Sequence, residues 1–431
     1  VTEPADQDPN VRGDFNQTIS FFRIMPEYTH KFSETSVGRA WLGIGQDMTL
    51  LDVGSIYYRF RTNVFSQRLE LETRLATTWK AYLGIENVGN WTQEEFQVPY
   101  RPGEQSGNSL PFSESPLITA TSNYSTDTGA LYMRNVLHEE NSPWTFLPGL
   151  RLSYYNLTHE SIPEPRLGLR YAVDESLTLR AATGLYDEAP PVEYSDSNYG
   201  NPSLTSQLAT HYTVGFEKDF RQEKGGPGWV WSTDLFYKQL FRLVQTTANL
   251  NSSGQPEFYD NEGSGRIYGA EVMLKYQSMD WTGWLAYTLS RSLRTYPPSG
   301  ESIYQYDQTH NLIVVAERPF GKNWKFSGRF RYTTGDPYTP KIGGDFDVDN
   351  DVYLPLSGGI YSARMPPFWE FDIRFDRKWI FDQWILTAYL DIENVTNHRS
   401  VEQINYSYNF QQQANVTGLP FLPTLGIKGE Y

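Results

Sequence analysis

Asp345-Phe346-Asp347-Val348-Asp349-Asn350-Asp351 sets a carboxylate at every second position of a long polar segment. Oxygen ligands so spaced can converge on a hard cation, and Ca2+ takes about six to eight of them in flexible geometry. Asp345, Asp347, Asp349 and Asp351 are therefore the candidate metal ligands, and Ca2+ the one candidate cofactor. The glycine and the distal glutamate of an EF-hand loop are missing, and a solvated acidic loop is the plainer reading. A second group is aromatic. Tyr194, Tyr199, Tyr296, Tyr304 and Tyr306 fall in or beside other long polar segments, where rings with a polar handle suit capture of an amphipathic ligand. Loop–loop packing or an interfacial girdle would use the same residues. Catalytic chemistry finds little support. Asp307 and His310 have no Gly-x-Ser-x-Gly nucleophile to serve, no His-Glu-x-x-His occurs, and cysteine is absent. The chain reads as a non-enzyme.

The elements carrying these groups show a period of two. In Trp369-Glu370-Phe371-Asp372-Ile373-Arg374-Phe375-Asp376, the apolar residues point one way and the charged ones the other. Trp324, Phe326, Gly328, Phe330 and Tyr332 form a second stripe, and Leu386, Ala388, Leu390 and Ile392 a third. Leu69, Leu71, Thr73 and Leu75 alternate with Arg68, Glu70, Glu72 and Arg74. Segments of about ten such residues are the length a tilted transmembrane strand needs. No helical segments are found that could cover the apolar faces, so lipid is the expected cover. Arg329, Arg331, Asp372, Arg374, Asp376 and Lys378 then face a lumen, as cross-strand charge ladders or as contacts for something inside it.

Composition agrees. Hydrophobic residues make up 39% of the 431, too few for a helical membrane bundle, and aromatics reach 15%, as interfacial girdles require. The net charge of −15 disfavours nucleic acid as a partner. Short turns at 76–78, 173–176, 277–280, 321–323 and 381–383 alternate with long polar segments near 88–127, 187–207, 245–264, 292–307, 335–367 and 395–422. Short connections on one side and long ones on the other predict an all-β, transmembrane antiparallel β-barrel, treated as one domain over 1–431, with the turns periplasmic. A stack of soluble sandwiches is the alternative. The N-terminus lacks the basic-then-apolar pattern of a signal peptide, so a chain bound for the outer membrane is expected to be processed or part of something longer.

Several segments stand in a familiar order. They are Leu147-Pro148-Gly149-Leu150-Arg151-Leu152, Pro165-Arg166-Leu167-Gly168-Leu169-Arg170-Tyr171 and Leu179-Arg180-Ala181-Ala182-Thr183-Gly184. Tyr199-Gly200-Asn201-Pro202-Ser203-Leu204, Tyr306-Asp307-Gln308-Thr309-His310, Gly335-Asp336-Pro337-Tyr338-Thr339-Pro340 and Asp391-Ile392-Glu393-Asn394-Val395-Thr396-Asn397 follow. Over roughly residues 130–431 the chain resembles the C-terminal portion of the TonB-dependent outer-membrane receptors. It departs at Ser206-Gln207, where that family usually has Pro-Glu. The resemblance implies import of a scarce, bulky nutrient through a barrel of roughly 22 strands closed by an N-terminal plug. It also implies a bacterial outer-membrane location, lipid contact and coupling to TonB through the plug. Neither plug nor TonB segment is found, and about 17 strands are counted from Ile19 onward, the first entering from outside. The expectation is a C-terminal part whose plug and first strands lie on another chain. A passive or export channel without a plug, or a surface barrel binding a lipoprotein or peptide partner, are the alternatives.

Overall fold

A computed structural model describes residues 15–99, 117–195, 200–223, 225–247, 249, 257–348 and 352–431. Its architecture follows from the alternation. Trp324–Thr333 pairs antiparallel with Phe368–Ile380, setting Phe326 opposite Phe375 and Arg329 opposite Asp372. The next two ladders place Phe375 beside Leu390 and Leu390 beside Leu425. One apolar row thus crosses four strands. Because side chains alternate, a slip of one residue would turn the whole stripe inward, so the burial pattern specifies the register. On the reverse face the ladder is ionic. Arg329 Nη2 lies 2.7 Å from Asp372 Oδ2, and Arg331 Nη2 lies 2.6 Å from Glu370 Oε1. The expected interior charges are such ladders.

Nineteen strand segments join in one antiparallel sheet. Phe15–Ile24 and Glu27–Lys31 both pair with Ser36–Val53, so they are halves of a single strand interrupted at Met25-Pro26. Gly300–Ile303 is a local hairpin on the end of Thr282–Tyr296. Among the described residues seventeen strands therefore run across the sheet, the expected number, the first starting at Phe15 rather than Ile19. Each following strand pairs with its predecessor, so the sheet is a continuous meander. Among the described residues the first strand pairs only with the second, and the last, Leu422–Glu430, only with Ile385–Glu393. These edge strands run in the same direction, from the loop end of the sheet to the turn end.

The short turns fall where expected, and most open onto tryptophan. Trp79, Trp281, Trp324 and Trp384 each stand at the exit of a turn, with Trp144 and Trp229 placed alike after two further connections. An aromatic belt at one rim marks a membrane–water boundary. Within one turn, Asp174 accepts hydrogen bonds from Ser176 N (2.7 Å), Ser176 Oγ (2.6 Å) and Leu177 N (2.8 Å). In another, Gly321 and Asn323 take left-handed backbone angles, φ 54° and 65°.

The opposite end departs from expectation. Ile56–Ala76, Trp79–Pro99 and Leu117–His138 run for 21, 21 and 22 residues, about twice a bilayer crossing. Much of the segment near 88–127 is thus strand rather than loop. Both of its faces are polar, as in Gln93-Glu94-Glu95, so alternation carries no hydrophobic contrast there. Two other expected loops contain hairpins, Lys341–Asp347 with Val352–Ser357 and Val401–Tyr406 with Gln413–Thr417. The only helix among the described residues, Val192–Ser195, is four residues long. No helix among them is long and apolar enough to cross a membrane.

Candidate functional site

At the loop end the ends of five strands surround a cavity of about 550 Å3. Its wall comes from the lumen-facing positions of Leu177–Glu188, Gln207–Asp219 and Gly228–Thr246, where His211 lies opposite both Gly184 and Lys238. Tyr186 stacks on His211 with ring centroids 4.3 Å apart, and the Arg166 guanidinium sits 4.3 Å over the Tyr186 ring. Across the cavity stands the hairpin of Thr282–Tyr296 and Gly300–Ile303, bringing Arg294, Tyr296 and Tyr304. The Arg294 guanidinium lies 4.1 Å over the Tyr304 ring and donates to Ser292 Oγ (3.0 Å) and Leu293 O (3.1 Å). Burial pushes Arg294 below the usual guanidinium range and pushes the Tyr296 hydroxyl up. Arg294 and Lys238 have no carboxylate partner among the described residues.

The third side folds in from the connection after Leu177–Glu188. Tyr194 stacks on Tyr259 at 4.5 Å. Asn201 fastens this segment by accepting Ser203 N (2.9 Å) and donating Nδ2 to Tyr259 O (2.7 Å), while Asn201 N donates to Tyr194 O (2.7 Å). Tyr361 closes the ring, its hydroxyl donating to Gln305 Oε1 at 3.2 Å. The result is a pocket of tyrosines, one histidine and aliphatic side chains that holds two cations, Arg294 and Lys238, and two carboxylates, Asp187 and Glu188, with no ion pair joining them among the described residues. A volume in the range of roughly 300–1,000 Å3 is typical of ligand sites.

Of the five expected tyrosines, Tyr194, Tyr296 and Tyr304 line this cavity. Tyr306 does not; it is 66% exposed, with its ring 5.5 Å from that of Tyr304. Tyr199 lies outside the described residues. Tyr186, His211, Lys238, Arg294 and Tyr361 were not among the expected site residues. The first three sit at lumen parity on strands the sequence does delimit, so extending each alternation to its loop end finds them. Tyr361 has no such signal.

Asp345 and Asp347 share one face of Lys341–Asp347, opposite Leu354 and Val352. Asp349 and Asp351 lie outside the described residues, among which no group of three His, Cys, Asp or Glu could hold a metal. Asp307 and His310 do not form a pair. Asp307 is 1% exposed and bound by Arg364, whereas His310 Nδ1 lies 2.8 Å from Tyr287 Oη.

The family described as TonB dependent receptor-like, beta-barrel matches residues 5–395. No curated protein matches the chain by sequence. Among solved structures, the siderophore receptor PiuA from Acinetobacter baumannii aligns with a TM-score of 0.70 at 12% identity, over 97% of this chain and 65% of that one. FpvAI in its complex with pyocin S2 gives 0.69 at 14%, over 95% and 56%. The ferric yersiniabactin uptake receptor FyuA from Yersinia pestis gives 0.68 at 11%, over 97% and 62%. At these identities the likeness is one of fold. The chain spans less than two thirds of each neighbour.

Proposed function

The chain belongs to the TonB-dependent receptor β-barrel family, and from that premise we propose that it forms the wall and outer vestibule of a receptor importing a scarce, bulky nutrient. Members of this family are outer-membrane proteins of Gram-negative bacteria and are not enzymes. The observation that carries the proposal is the cavity at the outer end of the lumen. Aromatic walls supply flat, apolar contact area. Arg294 and Lys238, neither in an ion pair and both partly withdrawn from water, offer contacts to a ligand's anionic groups, while Asp187 and Glu188 on the same wall can accept from its donors. A ferric siderophore has that chemistry, and two of the structural neighbours carry siderophore names. Energy coupling is assigned to a plug and TonB, and capture to the residues described here.

The test uses cells with and without the receptor and a radioiron-labelled ferric siderophore. Receptor-dependent surface binding is expected, followed by uptake that stops with a proton uncoupler. Arg294→Ala and Tyr304→Ala should each weaken binding by about tenfold, as loss of a charge-assisted contact or an aromatic face does. Binding that does not depend on the receptor would remove the proposal. A large steady conductance of the native receptor in planar bilayers would replace it with a passive pore. Asp345, Asp347, Asp349 and Asp351 stay a proposed Ca2+ site; protease cleavage of that segment unchanged by chelator would dismiss it.

A further inference from the structure

Asp307 is buried at the point where one strand changes partners. Thr282–Tyr296 pairs with His310–Phe320 up to Leu289, and beyond Leu293 it pairs instead with Gly300–Ile303. The Ser292 N–H falls in the gap and donates to Asp307 Oδ2 at 2.6 Å. Asp307 Oδ1 accepts Thr309 Oγ1 at 3.0 Å and the Arg364 guanidinium, with Arg291 Nη1 a further 3.6 Å away. Arg364 arrives from the far end of a different connection, which leaves the sheet after Trp324–Thr333 and returns before Phe368–Ile380. Its Nη1 donates to Asp307 O (2.7 Å) and Gly335 O (3.0 Å), and its Nη2 to Thr309 Oγ1 (3.1 Å). Gly335 is the other stem of that connection, and a Cβ there would collide with the Met365 carbonyl. One guanidinium thus fastens both stems of the second connection to the base of the first.

The fastened segments carry part of the cavity wall. Tyr304 and Gln305 precede Asp307, while Tyr361 stands three residues before Arg364 and holds a left-handed φ of 47°, unfavourable for a tyrosine. From this arrangement we infer that Asp307 and Arg364 are positioning residues for the ligand cavity, keying the loop that carries Tyr361 to the turn that carries Tyr304 and Gln305. A lysine at 364 would keep the charge but lose the planar fork that reaches two carbonyls, a hydroxyl and a carboxylate together. Truncating Arg364 leaves the buried Asp307 carboxylate only the more distant Arg291 guanidinium, at 3.6 Å, as a cationic partner.

This inference rests on the ligand-capture reading of the cavity, and its first measurement needs no ligand. The chain has no cysteine of its own, so Tyr306→Cys with Ile360→Cys is the one spin-label pair it contributes, read in receptor extracted from outer membranes against the same receptor without the two substitutions. The parent should show one narrow distance distribution. Arg364→Gln and Arg364→Lys should both broaden it, in barrels that keep their heat-modifiable gel migration. A narrow distribution retained in Arg364→Gln, or restored by Arg364→Lys, overturns the inference. If Arg364→Gln does not reach the membrane, Asp307→Asn is read the same way, since its amide oxygen can still accept Ser292 N. Affinity for the ferric siderophore probe is then measured on the same variants. Weakening supports the positioning role, and unchanged affinity beside a broadened distribution overturns it. A parent that does not bind the probe overturns the ligand-capture reading instead, with the latch still judged by distance.

Discussion

Single residues here work mainly through the backbone groups they satisfy. Asp174 closes one of the short turns by accepting two amides and a hydroxyl, which hold its carboxyl down at about 2. A depressed folded pKa means the contribution is complete above the ordinary carboxylate range near 3.8 and is lost as pH falls toward 2. Titration of the Asp174 carboxyl by NMR should show that midpoint, and Asp174→Asn should remove the acid-dependent loosening of the turn. A midpoint near 4 would show the hydrogen bonds are not held in solution. At this scale the sequence was only partly legible. Tyr194, Tyr296 and Tyr304 could be picked out because they sit in polar segments beside strands. Arg294 could not, because its role depends on a hairpin that turns it over Tyr304 rather than toward an acid.

Strands were legible wherever their two faces meet different solvents. Trp369–Asp376 could be read directly because lipid and lumen demand opposite chemistry at successive positions, and its pairing confirms the assignment. The outer halves of Trp79–Pro99 and Leu117–His138 could not, since both faces meet water and any polar residue serves. The same reasoning predicts how substitutions divide. Ile373→Arg, on the lipid face midway along its strand, should cost about 2–4 kcal/mol in a barrel-folding titration. Ser327→Lys, one register position away on the lumen face between Glu317 and Arg374, should cost less, since both of its neighbours and the lumen are polar. Equal costs would refute the assignment of faces. Arg329→Ala should fall between, about 1–3 kcal/mol, because Asp372 keeps its bond from Asn394 N at 2.9 Å.

For the whole molecule the decisive feature is the pair of sheet edges. Leu425 and Ile427 on the last strand are 83% and 79% exposed, and unpaired backbone is not tolerated in lipid. Both edge strands run toward the turn end, so direct pairing between them would be parallel. Antiparallel closure takes an odd number of further strands, giving the even total usual for bacterial barrels. Spin labels at Phe21→Cys and Leu425→Cys in the native receptor should therefore lie about 10 Å apart or more, at least two strand spacings. A separation near one spacing, about 5 Å, would establish parallel closure of this sheet on itself. Strand number and direction were legible from the rhythm of turns; what completes the edges was not, because a row of free N–H and C=O groups names no partner. The Asp307–Arg364 junction bears on how such receptors diversify. Two successive surface segments share a single fastening, so exchanging either alone with a relative's would break the bond between the buried Asp307 and its nearest guanidinium. Recombination that preserves a working receptor should move them together, as one heritable cassette.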